Sequence, residues 1–240
     1  MSLGLLRKYK TQLKARLQGE LRYCYYKMIY RNPGRPGKEL LINISDIRMV
    51  INDRWLSRQS SEYRRIYKAT NSVIGGEFWE HVKPVTGRNV KLLGFREHFL
   101  MGVAWQDTSL FKHYAQELLD KPSVQGCNDL NALIRLYEGK YDSLYQKLAV
   151  EGIKSARHDA GIEPIYIYIH ADGSFVYTSG GNHRLNMAKV LGLKNIPVLV
   201  RGRHLQWQRI RDEYKLSGHS AFQQKYPSLV GHPDLQDSTP

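Results

Sequence analysis

Cysteine is scarce in this chain. Cys24 and Cys127 are the only two, far apart and in no metal-binding spacing. Neither a disulfide framework nor a zinc site is in prospect, and a reducing, cytoplasmic setting is expected. Long apolar runs are missing too: no stretch reaches the roughly 18 residues that a membrane-spanning helix needs. The opening MSLGLLRKYK turns basic where a signal peptide needs its apolar centre, so it is read as part of the mature protein. Acid is short as well. Against 36 Lys+Arg stand 22 Asp+Glu, a net charge of +14. A surface that basic attracts polyanions, whether nucleic acid, anionic lipid or phosphorylated substrates.

What is present suffices for a fold. Of 240 residues, 42% are hydrophobic, enough to build one domain with appendages. Residues 3–31 predict one long helix, because Leu3, Leu6, Leu13, Leu17, Leu21, Tyr25 and Met28 recur at steps suited to one helical face. Eight Lys or Arg and one Glu in that span give +7, half the net charge. Two readings stand: a helix packed on the domain through its leucines, or a surface helix that meets an anionic membrane or a protein partner. NPGRPG at 32–37 breaks the helix, ELLINI forms a strand, and Ser45 or Asp46 caps a short turn before MVINDRW.

From about 56 to 126 the pattern is harder to read and is taken as an insertion. SEYRRIYKAT and SLFKHYAQELLDKP look helical, with a short hairpin between them in GGEFWEHVKPVTGRNVKLLGF. NDLNALIRLYEG and YDSLYQKLAVEG predict two capped helices, each stopped by glycine. PIYIYIHADGSFVYTS is a hairpin turned at Asp172 and Gly173. A helix from Asn182 to Leu191, the strand IPVLV, a helix in HLQWQRIRDEY and an extended C-terminal arm over 216–240 complete the chain.

The candidate chemistry lies at Ser179, Gly180, Gly181, Asn182, His183 and Arg184, between strand and helix. A helix start offers unpaired N–H groups and partial positive charge, and preceding glycines let an anion approach the backbone. Asn182 is a candidate cap or donor, His183 a donor, and Arg184 a planar fork for phosphate oxygens. Arg201, Arg203 and His204 follow the last strand and add charge at one end of the sheet. The same residues also fit a plain glycine turn and an ordinary basic loop.

Strand, Gly-Gly, His-Arg, helix, then Ala188, Lys189, Gly192, Leu193, Ile196, Pro197 and Val198 resemble the ParB/sulfiredoxin-like superfamily over about 39–200. The resemblance implies an α+β fold, a small mixed sheet with flanking helices, here with a long N-terminal helix and turn (1–37), a core domain (38–215) and a mid-chain insertion. Sulfiredoxins act through a cysteine in this box. Asn182 stands in its place, which removes the thiolate. ParB-type partition proteins hold CTP there and clamp DNA through a following domain, for which the 40 residues after Val200 leave no room. A third branch, the free-serine kinases, cradles ATP or ADP and places an acid after the first strand, for which Asp53 and Asp46 are the nearest candidates.

The expectation is therefore a nucleotide-binding protein, an ATP-dependent kinase that phosphorylates a hydroxyl-bearing small molecule or sugar-like acceptor. Asp53, Asp46 and His183 are the candidate catalytic residues, and ATP or another nucleoside triphosphate binds with Mg²⁺. Trp79, His81, Trp105 and Asp107 are candidate acceptor contacts. The alternative is a nucleotide-gated module that uses CTP or ATP to bind nucleic acid or another polyanion without catalysis. A nuclease ranks last, because no clustered acidic metal site is visible.

Overall fold

The computed structural model describes residues 3–51, 53–61, 69, 71–85, 89–155 and 163–236. The side chains at 3–12, 15, 16, 53, 54 and 57 lie outside that description, as does most of SEYRRIYKAT. The chain forms two units, one of Met1–Val85, Pro164–Gly180 and Pro197–Pro240, the other of Thr86–Glu163 and Gly181–Ile196. The class is α+β, as expected.

The first unit is built on a mixed sheet. Its strands are β1 (Glu39–Asn43), β2 (Ile47–Ile51), β3 (Ser72–Ile74), β4 (Val82–Pro84), β5 (Tyr166–Ile169), β6 (Phe175–Ser179) and β7 (Asn195–His204). The order is β1-β7-β5-β6-β2-β4, with β3 also paired to β7. Strands β5 and β6 are the antiparallel hairpin that the sequence announces. Asp172 makes its turn, Oδ1 accepting from Ser174 N at 2.9 Å and from Ser174 Oγ at 2.6 Å. Gly173 is required there twice: its φ is +88°, and a Cβ would stand 2.7 Å from the Trp207 ring. Parallel pairing of β2 with β6 and of β5 with β7 completes the frame. Against it pack Ile51, Leu56, Ile74, Phe78, Trp79 and Val176, with Phe78 edge-on to Tyr168 at 5.0 Å.

Several expectations are corrected in this unit. Strand β7 does not end at Val200 but runs through His204, because β3 pairs with its far half at Gly202, Arg203 and His204. The turn after β1 is capped by Asn43, whose Oδ1 accepts from Ser45 N at 3.0 Å, and not by Ser45 or Asp46. The C-terminal segment is no extended arm. Helix α8 (Leu205–Lys225, in the helix numbering completed below) leads into turns that bury Asp234 and Leu235. Helix α1 (Leu3–Ile29) forms as expected, but the part of its apolar face that is described does not pack: Leu13, Leu17, Leu21, Tyr25 and Met28 are all exposed. A short helix α2 (Asp53–Arg58) follows β2.

The second unit is helical. Helix α3 (Val90–Met101) replaces the hairpin expected in this stretch: Asn89 Oδ1 caps it, accepting from the N–H groups of Lys91 and Leu92, and Gly102 ends it at φ +70°. Helix α4 (Ser109–Asp120) starts under the Thr108 hydroxyl and a bracing Glu97 carboxylate, which accepts from both Ser109 N and Ser109 Oγ at 2.6 Å. Helix α5 (Leu130–Arg135), capped by Asp129, does not stop at Gly139. It widens into a π-helical turn over Leu136–Tyr141 and continues as α6 (Asp142–Glu151), which Gly152 terminates. Helix α7 (Asn182–Val190) completes the unit. Phe95, Trp105, Leu110, Leu133, Tyr137 and Met187 lie at the centre of its core.

Helices α3 and α4 meet at a glycine. A Cβ on Gly94 would lie 2.1 Å from Leu110 Cβ and 3.0 Å from Leu110 N. Backbone cannot swing aside, so Gly94→Ala is expected to cost about 1–3 kcal/mol through overpacking, although alanine is the better helix former. Chemical denaturation reads it: a midpoint equal to or above that of the parent would show the contact to be looser.

Candidate functional site

The two glycines that end β6 have separate reasons. Gly180 has φ +77°, and a Cβ there would meet Pro164 O at 2.2 Å, so no side chain fits. Its carbonyl accepts from Tyr177 Oη at 3.0 Å. Gly181, the last residue before α7, has φ +56° and ψ 23° and brings no side chain to cap the helix. Gly181 therefore offers the first N–H groups of α7 no side-chain acceptor of its own.

That helix start opens into a cleft of about 350 Å³ within the second unit. Gly181, Asn182, His183 and Arg184 form one wall, and Lys140, Tyr141, Leu144, Lys147, Leu148 and Glu151 of the π turn and α6 form another. Lys154 and Glu163 complete the charge. Four cationic side chains, Lys140, Lys147, Lys154 and Arg184, face two carboxylates, Glu151 and Glu163, for a balance of 4 − 2 = +2. Lys154 is paired with Glu151 at 3.0 Å. Half a positive charge at the helix start adds to the same sign. Such a volume is in the range of small-molecule sites, and its electrostatics favour an anion.

Two groups at the helix start hold roles other than those expected. Asn182 is not the cap: its Oδ1 accepts from Asn186 Nδ2 at 2.7 Å, and its carbonyl accepts from the same group at 2.8 Å. Asn186 Oδ1 in turn accepts from Asn89 Nδ2 at 2.8 Å, so the cap of α3 and the first turn of α7 share one chain of amides. This leaves Asn182 Nδ2 as the donor that the chain does not consume. His183 is locked rather than free. Its ring stacks on Tyr141 at 4.7 Å between centroids, and Nε2 lies 3.1 Å from Tyr141 Oη. Tyr141 spends its proton on Gln125 Oε1, so Nε2 is the donor and His183 the neutral tautomer that carries that proton. Burial, with the positive charges of Lys91 and Lys140 nearby, pushes the imidazole down to about 4. At neutral pH His183 is uncharged, and its proton faces the tyrosine, not a phosphate.

The other expected residues lie elsewhere. Asp46 is exposed at the end of the turn after β1, and Asp53 opens α2 with its side chain outside the described set; both belong to the first unit. Ser179 and Arg201 come together, Nη1 donating to Ser179 Oγ at 2.7 Å while the guanidinium lies 4.0 Å over the Tyr166 ring, again in the first unit. Arg203 is not a loop cation. It is buried and bonded to Asp234 and Asn71. His204 caps α8, its Nδ1 accepting from Gln206 N at 2.9 Å. Trp105 is a core residue, stacked on His98 and donating to Asp142, while Asp107 is exposed beside it. Trp79 is likewise core, donating to Ile74 O, and His81 stacks on Trp55.

The lysines of the cleft went unread in the sequence. Lys140, Lys147 and Lys154 recur every seven residues, although only Lys147 lies on α6; Lys140 is in the π turn and Lys154 past the helix end. Among the described residues no group of three His, Cys, Asp or Glu stands together to hold a metal ion. No helix among the described residues is long and apolar enough to cross a membrane. Comparison with family models, with curated proteins and with solved structures returned no match to this chain.

Proposed function

We propose that this chain binds a nucleoside polyphosphate in the cleft of the second unit and transfers a phosphoryl group to an alcohol. One observation carries the reading: an uncapped helix start, Gly181 to Arg184, opens into the same cleft as Lys140 and Lys147. Phosphate oxygens accept from the first N–H groups of α7, from Asn182 Nδ2 and from the Arg184 fork, while the lysines neutralise charge from the opposite wall. The ParB/sulfiredoxin-like resemblance supports the reading, since its phosphate-holding box coincides with this helix start.

Transfer needs a group to take the proton of the acceptor hydroxyl. Glu151 is engaged by Lys154. Glu163 is the remaining carboxylate lining the cleft, and it becomes the candidate base in place of Asp53 and Asp46. Mg²⁺ suits such a site as a passenger on the phosphates, held by one carboxylate and water rather than by a protein cage. The alternative, a nucleotide-gated binding module without catalysis, is favoured by the same scarcity of acid in the cleft.

Thermal-shift titration with ATP, ADP, CTP and GTP, each with and without Mg²⁺, tests the binding. At about 100 times its dissociation constant a ligand stabilises the fold by about 2.7 kcal/mol. Lys140→Glu with Lys147→Glu should erase that shift and leave the free protein's melting temperature unchanged, because both side chains are exposed. No shift with any nucleotide ends the proposal. Where one binds, Glu163→Gln should abolish phosphoryl transfer and spare affinity; binding without transfer in the parent protein selects the gated module.

A further inference from the structure

Helix α1 presents to solvent the residues that a packed helix hides. On a helix that turns about 100° per residue, Leu13, Leu17, Leu21, Tyr25 and Met28 fall within an arc of roughly 120°. All five are exposed, Leu21 at 72% and Met28 at 78%. The packing side is the opposite one. Gly19 is buried there, and Tyr26 and Tyr30 are half-buried. Tyr26 Oη accepts from Val73 N at 3.0 Å, and the two rings meet edge-on at 5.4 Å. Just past the helix, Asn32 is fixed to α8: its N–H donates to Asp212 Oδ1 at 2.8 Å and its Nδ2 to Arg211 O at 3.0 Å. The orientation of α1 is thus set by tyrosines and an asparagine, and its apolar ladder is left outward.

We propose that this outward face seats the protein on an anionic phospholipid surface. Two features of the helix together select that occupant. The ladder of leucine, tyrosine and methionine has no use on a nucleic-acid backbone, which is read by charge and hydrogen bonds. The eight Lys or Arg against one Glu over residues 3–31 oppose pairing with a second copy of the same helix, which would bring +7 against +7. A bilayer that carries phosphatidylglycerol or phosphatidylserine satisfies both, accepting apolar side chains at the acyl boundary and cations at the headgroups. Lys14, exposed beside the ladder, extends its stem along the acyl chains and its ammonium to the phosphates. Tyr25 sits at the ladder's margin, the depth that suits an aromatic ring with a polar tip.

Vesicle co-sedimentation of the full chain tests this, with phosphatidylcholine alone against phosphatidylcholine containing roughly one part phosphatidylglycerol in three. Binding to the anionic vesicles only, weakened by salt, is expected. Leu17→Ser, Leu21→Ser and Met28→Ser combined should lower the partition coefficient at least about tenfold without moving the thermal unfolding midpoint. Absence of binding to anionic vesicles overturns the proposal. Equal binding by the triple variant also overturns it, because adsorption would then be by charge alone. So does a concentration-dependent dimer that the triple variant abolishes, which would give the ladder to a second copy.

Discussion

Replacing Asp234 with alanine is expected to cost about 3–5 kcal/mol of folding free energy, enough to lower the melting temperature by roughly 10 °C. The carboxylate is fully buried and serves three partners at once. Arg203 grips it with Nε at 2.8 Å and Nη2 at 2.6 Å, Trp207 Nε1 donates at 2.8 Å, and Arg211 Nη1 lies 2.9 Å from Oδ2. Removing that anion takes from two buried guanidiniums the carboxylate that both of them face. Asp234→Asn keeps the shape and loses the charge, and it should fall almost as far. The two arginines hold the carboxyl well below the usual carboxylate range despite its burial. A depressed carboxylate stabilises fully above its unfolded value and progressively less as the pH falls below that value, so this contribution is complete at neutral pH. Arg203→Met in the Asp234→Ala background should recover part of the loss, since one of the two buried cations goes with the anion it faced. A loss under 1 kcal/mol in the single variant would mean that the final turns are not docked as described.

That contact also shows where sequence reading stops. Turn chemistry between neighbours was legible: Asp172 and Gly173 announce the β5–β6 hairpin, and Gly180–Gly181 announce a strand that hands over to a helix. The tail was not, because an aspartate followed by Leu-Gln-Asp looks like solvated chain until β7 and α8 bring two arginines to it. The same holds for Arg203. Read in sequence it belongs to a basic loop, yet β3 pairs with that stretch of β7 and turns it inward. In the second unit Gly139 looked like a helix stop, but the chain absorbs it in a π turn that keeps Tyr137 and Tyr141 on the inside. Even α1 obeyed its period while its direction stayed open between two readings, since periodicity says which residues share a face and not which way the face looks. For the cleft, the box around Gly181 was visible, while its opposite wall was not, because a π turn and the chain past Gly152 bring Lys140 and Lys154 to it.

The stability of the protein should climb with pH across the interval from about 4 to 6.5, and His183 should account for about 3 kcal/mol of the climb. The imidazole ordinarily titrates near 6.5, and its burial against Tyr141 moves it to about 4, a difference of 6.5 − 4 = 2.5. Between those values the unfolded chain holds the proton and the folded chain does not, so falling pH favours unfolding; at 1.36 kcal/mol per unit the span comes to about 3 kcal/mol. The difference between parent and variant is the quantity to measure, because contributions common to both cancel in it. Asp234 contributes equally to parent and variant and so cancels in the difference. His183→Gln removes the titration while it keeps a side chain able to donate to Tyr141, so its stability profile should lie flatter by that amount. A parent and a variant with parallel profiles would show the ring to be hydrated. Tyr141→Phe separates burial from hydrogen bonding as the cause. The hydroxyl accepts from the neutral and the protonated ring alike, so its loss should weaken the fold at every pH and leave the slope standing, whereas a slope that vanished with the hydroxyl would assign the shift to the bond.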